Sequence, residues 1–257
     1  MSLSVAPGEI LGIIGSNGAG KTTLFDVCSG FIYPDAGRVM LFGEDVTTVS
    51  PAERAARRLG RVFQDARLFP SMTLSEAIAT ALEQSVPVRD PLACALGLGA
   101  VVESEDIVSG RVAELIAELG LERFRDRFVS ELSTGTRRIA ELACAVAHEP
   151  KVLLLDEPTA GIAQRESEAL GELLLGLRDE TGAAFVVIEH DVPLVSSIAD
   201  RLACMHLGSV IAEGDPSSVL NDAGVLASYL GADDLALAGS RPPPPAVTGS
   251  LVGMTRP

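Results

Sequence analysis

The sequence EILGIIGSNGAGKTT, residues 9–23, joins a short apolar run to a glycine-rich loop. The apolar run predicts a buried β-strand that ends at the loop. Residues 21–29, KTTLFDVCS, predict the helix that follows. A G-x-x-x-x-G-K-[ST] loop between a strand and a helix is the pattern of a phosphate-binding loop, so the chain is predicted to bind a nucleotide.

This loop has the chemistry that an anion requires. Glycines let successive backbone N–H groups curve around a phosphate, and the N-terminus of the next helix adds positive potential. We expect the Lys21 ammonium to reach the β- and γ-phosphates and the Thr22 hydroxyl to bind Mg²⁺. The alternative, a chance glycine-rich turn, is disfavoured by the order of strand, loop and helix. The predicted nucleotide-binding residues are Gly15, Ser16, Asn17, Gly18, Ala19, Gly20, Lys21, Thr22 and Thr23.

A second apolar strand ends in two acids, in the sequence VLLLDE at residues 152–157. A carboxylate at the carboxyl edge of a parallel sheet faces the ligand crevice. Asp156 is therefore predicted to hold Mg²⁺ through water, and Glu157 to polarise the attacking water. Alone, an Asp-Glu pair is equally the pattern of a solvated turn. Together with the phosphate loop, the pair indicates nucleotide hydrolysis.

The composition excludes several classes of protein. The 257 residues carry a formal net charge of −15, which disfavours nucleic-acid binding because that requires a cationic surface. No stretch reaches the ~20 apolar residues of a membrane span, and the start lacks the pattern of a signal peptide, so we expect a soluble, cytoplasmic chain. The spacing of the cysteines contains no CxxC pair and favours buried free thiols over metal ligands. The cysteines are Cys28, Cys94, Cys144 and Cys204.

Strands and helices alternate along most of the chain. Residues 151–155 and 184–188 predict buried strands, and residues 165–180 and 193–199 predict helices beside them. This order predicts a largely parallel α/β sheet. The periodicity ends before the proline-rich segment 232–257, which is predicted to be a disordered tail or, as the alternative, a proline motif that binds a protein.

Three further motifs complete a family pattern. The sequence LSTGTRR at residues 132–138 resembles LSGGQ, the signature motif of ABC (ATP-binding cassette) ATPases. Gln64, in VFQDARLFP, resembles the Q-loop glutamine of that family, and His190, in VVIEHD, resembles its switch histidine. With the phosphate loop and the Asp-Glu-Pro after the second strand, these motifs occur in the family's order. Residues 2–231 are therefore identified as similar to an ABC ATPase.

Longer stretches resemble the ATP-binding subunits of branched-chain amino-acid importers. They are FQDARLFPSMTLSEA, LSTGTRRIAELA, DEPTAGI, IEHDVPLV and GDPSSVLNDAGVLASYLG. The resemblance implies an ATPase, with ATP and Mg²⁺ as cofactors, that powers import of branched-chain amino acids or related small polar solutes. It also implies transmembrane permease subunits, which hold the chain on the inner face of the cell membrane, and a second ATPase subunit, identical or different.

The resemblance also implies the fold. Residues 1–231 are expected to form a P-loop NTPase domain with a RecA-like α/β core, a β-rich edge without its first strand, and a helical subdomain at about 66–135. Two such domains dimerise head-to-tail around two ATP molecules in the family. Ser133 and Gly135 would then contact the γ-phosphate held by the partner. Taken alone, Ser133 is equally the pattern of a helix N-cap.

Catalytic roles follow from the same resemblance. Gln64 is implied to contact Mg²⁺ or water and to sense the permease, and His190 to contact the γ-phosphate. Without the other motifs, His190 would be a structural histidine and Gln64 an ordinary polar residue at the end of a strand. The predicted catalytic residues are Glu157, His190 and Gln64, and the predicted metal ligands are Thr22, Gln64 and Asp156.

The sequence departs from the family pattern in several places. Thr134 and Thr136 stand where glycine and glutamine are usual, and Ala163 replaces an aspartate. The aromatic residue that stacks on adenine in the family lies upstream of the phosphate loop and has no counterpart here, so we expect weaker adenine binding. These departures suggest one alternative, a regulatory module that binds nucleotide without useful turnover. A second alternative is a non-transport ATPase of DNA repair or translation. The direction of transport stays open, because lipopolysaccharide-export ATPases have similar sequences.

Overall fold

The computed structural model describes residues 1–64, 68–83 and 99–229, and only the backbone of residues 99–104. The strands are β1 (Ile10–Ile14), β2 (Met40–Leu41), β3 (Glu44–Asp45), β4 (Leu59–Val62), β5 (Val152–Asp156), β6 (Ala184–Ile188), β7 (Arg201–His206) and β8 (Ser209–Gly214). The α-helices with defined bounds are α1 (Lys21–Ser29), α2 (Pro51–Ala56), α3 (Leu74–Leu82), α4 (Gly99–Glu118), α5 (Thr134–Val146), α6 (Gln164–Thr181), α7 (Val192–Ile198) and α8 (Pro216–Leu220), and residues 223–229 are also helical.

The main sheet has six strands in the order β4-β5-β6-β1-β7-β8. Neighbouring strands are parallel except for β8, which is antiparallel to β7. The register aligns Ile188 with both Ile13 and Asp156, so the carboxyl ends of β1, β5 and β6 meet at one edge of the sheet. The predicted largely parallel α/β fold is therefore confirmed. A separate antiparallel pair, β2 with β3, lies outside this sheet.

The central strands are buried on both faces. In β5, Leu153 and Leu155 point into one apolar cluster, and Leu154 points into another. Strand β6 alternates in the same way, with Phe185 on the first side and Val186 on the second. A strand covered on both faces needs apolar residues at every position, which explains the continuous apolar runs in the sequence.

Helices α3, α4 and α5 pack together, because α3 contacts both of the other two. The sequence predicts a break at GLGA, residues 97–100, yet α4 already begins at Gly99. Because residues 97 and 98 lie outside the described residues, the break at GLGA stays a prediction. The other predicted break, at residues 86–91, and the tail at 232–257 lie outside the described residues. The division into subdomains stays a prediction.

The sequence predicts buried free thiols for the cysteines and no membrane-spanning segment. Cys28, Cys144 and Cys204 are free thiols; Cys204 is buried and the other two are half-buried, whereas Cys94 lies outside the described residues. Burial raises the pKa of Cys144 to about 12, so its thiol stays protonated at neutral pH. Within residues 1–64, 68–83 and 99–229, no helix is long and apolar enough to cross a membrane.

Candidate nucleotide-binding and catalytic site

The predicted phosphate loop lies between β1 and α1. Gly15, Gly18 and Gly20 have φ angles of 148°, 78° and 97°, in the left-handed region that favours glycine. At Gly15 the space is also closed, because a Cβ would lie 2.2 Å from the carbonyl oxygen of Met205. The loop therefore requires glycine both for its turns and for its close approach to β7. Solvent reaches the side chains of Asn17, Thr22 and Thr23, while Ala19 and Lys21 are buried and Ser16 is half-buried.

The Lys21 ammonium lies against this loop. It donates to the carbonyl oxygens of Gly15 at 2.7 Å and Ser16 at 3.2 Å. Burial lowers the pKa of Lys21, while the carboxylates of Glu157 and Asp156 raise it. The first turn of α1 therefore lies within electrostatic reach of the two acids that follow β5. The structure brings together the two sites that the sequence places far apart.

Gln64, Glu157 and His190 meet at the carboxyl edge of the sheet. The amide Nε2 of Gln64 donates to Glu157 Oε2 at 2.8 Å, and Nε2 of His190 lies 2.9 Å from Glu157 Oε1. An ionised carboxylate can only accept, so His190 Nε2 carries the proton in this contact. These three residues follow β4, β5 and β6, which are neighbours in the sheet. The three predicted catalytic residues are thus in direct contact.

Asp156 is buried beside Arg61, which lies in β4. Arg61 Nη2 is 3.5 Å from Asp156 Oδ2, and Arg61 Nη1 is 2.7 Å from Asp26 Oδ1. Burial raises the pKa of Asp156, and the charge of Arg61 opposes that rise. The other oxygen, Asp156 Oδ1, is buried and has no hydrogen-bond partner among the described residues. The sequence analysis missed Arg61, because one arginine in a short strand belongs to no motif.

The signature motif forms the start of α5. Ser133 is the N-cap: its Oγ accepts from the Thr136 backbone N–H at 3.2 Å and lies 2.9 Å from Thr136 Oγ1. Gly135 packs against α6, where a Cβ would lie 2.9 Å from Glu166 Oε2. In the described part of the chain, no hydrogen bond joins Ser133 or Gly135 to the phosphate loop. Their contact with a nucleotide held by a second copy stays a prediction.

Arg138 connects the signature helix to the Q-loop. Its guanidinium donates to the backbone carbonyl oxygens of Gln64 and Phe63, the latter at 3.4 Å. It also forms an ion pair with Glu141 at 3.1 Å, one turn further along α5. A shift of α5 would therefore act on the backbone that carries Gln64. The sequence analysis missed Arg138 as well, although it lies inside the quoted motif.

Comparisons with known proteins show the family to which the chain belongs. The family described as ABC transporter matches residues 1–160. The chain is 32% identical over 231 residues to the high-affinity branched-chain amino acid transport ATP-binding protein LivG of Escherichia coli, covering 90% of each chain. It is 33% identical over 233 residues to the spermidine/putrescine import ATP-binding protein PotA 1 of Pseudomonas aeruginosa, covering 90% of this chain and 59% of that one.

Solved structures share the fold. The ADP conformation of MJ1267, an ATP-binding cassette of an ABC transporter, matches with a TM-score of 0.76 at 32% identity, covering 90% of this chain and 91% of that chain. A dimeric post-hydrolysis state of the cassette MJ0796, bound to ADP and Pi, matches with a TM-score of 0.69 at 25% identity, covering 83% and 88%.

The parallel sheet, the phosphate loop and the acids at its edge define a P-loop ATPase. More particularly, the chain belongs to the ABC transporter family, as one of its ATP-binding, ATP-hydrolysing subunits.

Proposed function

We propose that this chain hydrolyses ATP on the inner face of the cell membrane to power import of branched-chain amino acids or related small polar solutes. One observation carries the catalytic part: Gln64, Glu157 and His190 are in contact, at 2.8 and 2.9 Å. LivG supports the substrate class, because the likeness covers 90% of both chains. PotA 1 is matched over only 59% of its length, so polyamines are the weaker candidate.

Mg²⁺ is proposed as the second cofactor beside ATP. The buried Asp156 Oδ1, without a hydrogen-bond partner in the described residues, is an oxygen available to a hard cation. Thr22, Asp156 and Gln64 supply hydroxyl, carboxylate and amide oxygens, the ligand types that Mg²⁺ prefers. When bound, the ion neutralises charge on the transferred phosphoryl group.

The chain's own residues supply the remaining steps. Lys21, whose ammonium lies against the Gly15 and Ser16 carbonyls of the loop, binds the β- and γ-phosphates. The Glu157 carboxylate orients the attacking water and accepts its proton. Gln64 and His190 each hold one oxygen of Glu157, so the carboxylate is oriented before the water arrives.

A second ATPase subunit completes the proposed active site. Ser133 is exposed at the N-terminus of α5, a 13-residue helix whose positive end favours an anion. We propose that this end faces the phosphate loop of another copy. ATP is therefore expected to hold two subunits together, each contributing one face of each site. The dimeric state of MJ0796 with ADP and Pi supports this arrangement.

A groove beside the Q-loop is the proposed contact with the permease. It has a volume of about 340 Å³ and lies between the strand β4 and the helices α3 and α5. Phe31, Phe63, Leu68 and Cys144 line it and make it largely apolar. Phe63 directly precedes Gln64, so an inserted permease segment would push on the backbone of a catalytic residue. This contact explains how hydrolysis could respond to the permease.

Two variants test the proposed ATPase. Lys21→Ala should abolish measurable ATP binding, because it removes the phosphate-binding cation. Glu157→Gln should spare ATP binding and lower turnover by about 10²- to 10⁴-fold, because it removes the proton acceptor and keeps the shape. Light scattering should then show an ATP-dependent dimer of Glu157→Gln. Normal turnover in Glu157→Gln would rule out Glu157 as the catalytic group.

Reconstitution tests the transported solute. The chain, its permease and its solute-binding protein would be reconstituted in vesicles. ATP would be supplied on the side of the membrane where the chain lies. ATP-dependent uptake of leucine, with none of spermidine, is the expected result. A nucleotide-binding regulatory module would show binding without turnover, and an exporter would release solute rather than accumulate it.

A further inference from the structure

Glu189 is a buried carboxylate that the proposed mechanism does not use. It lies between β6 and His190, and its residue surface is only 3% exposed. Its Oε1 accepts from the backbone N–H of Thr159 at 2.9 Å and from the Thr159 hydroxyl at 2.7 Å. Its Oε2 accepts from the backbone N–H of His190 at 3.1 Å. Three donors from two segments therefore converge on one side chain.

These two segments carry the catalytic pair. Thr159 lies two residues after Glu157, in a turn closed by the Ala160 N–H donating to the Glu157 carbonyl at 3.0 Å. His190 follows Glu189 directly, and its ring contacts Glu157 at 2.9 Å. The contact between the Glu157 and His190 side chains thus joins the two segments once. The hydrogen bonds of Glu189 to Thr159 and to the His190 N–H join them a second time. Glu189 therefore contacts both of the segments that carry the catalytic side chains.

We propose that Glu189 is a positioning residue for ATP hydrolysis. It fixes the position of Glu157 relative to His190, because it binds both the turn that follows Glu157 and the backbone N–H of His190. The proposal rests on the proposed ATPase activity. Charged acceptors form the stronger hydrogen bonds, and three donors compensate for the burial of this carboxylate. A glutamine amide cannot replace this carboxylate. All three groups that contact it are hydrogen-bond donors, and the N–H₂ group of a glutamine would face one of those N–H donors.

The variant Glu189→Gln tests this reasoning at nearly constant volume. Turnover per folded molecule should fall by about tenfold to a hundredfold, the usual cost of misplacing a catalytic group. ATP affinity should be unchanged, because none of the three side-chain contacts involves the phosphate loop. Retention of ADP–vanadate, an analogue of the transition state, should fall with turnover. This second readout does not require the isolated chain to turn over rapidly.

A milder pair of variants changes Thr159, which donates its hydrogen bonds to Glu189. Thr159→Val removes only the hydroxyl donor, so it should lower turnover less than Glu189→Gln does. Thr159→Ser keeps the hydroxyl and should restore wild-type turnover. These variants also serve if Glu189→Gln does not fold.

Glu9→Gln is the matched control for stability. Glu9 is a largely buried carboxylate at the opposite end of β1, and it accepts from Arg201 and from the Ala6 N–H. This control should lower the melting temperature without changing turnover per folded molecule.

Two failures can be told apart. If Glu157→Gln is inactive while Glu189→Gln and Thr159→Val turn over and retain vanadate like the wild type, Glu189 is only structural and the proposal is overturned. If the wild type neither binds nor hydrolyses ATP, the proposed ATPase function itself fails.

Discussion

Replacing Arg61 with methionine should strongly destabilise the protein. The Arg61 side chain is only 7% exposed and lies 3.5 Å from the Asp156 carboxylate, whose side chain is 3% exposed. Arg61→Met keeps a long side chain against the Phe63 ring, which the guanidinium now covers at 4.5 Å. The change therefore removes charge while it retains most of the apolar packing.

The size of the loss in stability depends on which of the two carboxylates paired with Arg61 can be hydrated. The Asp26 side chain, also paired with Arg61, is 29% exposed and can be hydrated. The Asp156 side chain is only 3% exposed, so removing Arg61 leaves a buried carboxylate without its cation. Breaking a buried ion pair in this way costs about 3–5 kcal/mol. At roughly 2–4 °C per kcal/mol for a domain of this size, the melting temperature should fall by roughly 6–20 °C.

Thermal and urea unfolding would measure the effect. Arg111→Met is the control, because Arg111 pairs with Glu114 at 3.1 Å and Glu118 at 3.2 Å while 33% of its side chain is exposed. Surface pairs of this kind contribute up to about 1 kcal/mol. The double variant Arg61→Met with Asp156→Asn should recover much of the loss, because it removes the unpaired charge. Equal losses at Arg61 and Arg111, or no recovery in the double variant, would refute the reasoning.

Two further predictions concern stability. Burial and the nearby Arg58 lower the pKa of His148 in the folded protein from its ordinary value of 6.5. Below about pH 6.5 the unfolded chain therefore binds a proton at His148 more readily than the folded chain does. The free energy of unfolding should decrease as the pH falls below that value. Melting temperatures across that range should show a smaller acid loss in His148→Gln, and an unchanged loss would contradict the assignment. Within α6, Gly176→Ala has open space and should stabilise by about 0.5–1 kcal/mol. Gly171→Ala should stabilise less than Gly176→Ala, because its Cβ would lie 2.9 Å from Leu194 Cδ1 and the leucine side chain must shift; the same unfolding curves compare the two, and an equal gain would contradict this reasoning.

Local patterns were enough to predict the elements that surround the phosphate loop. The predicted helix at 21–29 coincides with α1, and the apolar run before the loop contains β1. Both signals act over a few residues, since glycines permit the left-handed turns and a strand buried on both faces is continuously apolar. The alternation of strands and helices predicted a parallel sheet for the same reason.

The resemblance to ABC ATPases suggested Gln64 and His190 as catalytic candidates, but only strand order brought them into contact with Glu157. Gln64 and His190 lie 93 and 33 residues from Glu157 in the chain. No periodicity links such distant positions. They meet because β4, β5 and β6 are adjacent and parallel, so the residues that follow these strands emerge at one edge. The sequence alternative for Ser133, a helix N-cap, describes its local structure in this chain.

Arg61, Arg138 and Glu189 were decided by the tertiary structure alone. Each is a charged residue to which no motif gives a role, and its neighbours in sequence do not reveal whether it is buried. Burial determines the energy of a charge, and the partners that offset it come from distant segments: Asp156 for Arg61, the Gln64 carbonyl for Arg138 and Thr159 for Glu189. The phosphate loop can be predicted from short-range backbone geometry, whereas the network that orients the catalytic groups depends on which strands are neighbours and which side chains water cannot reach.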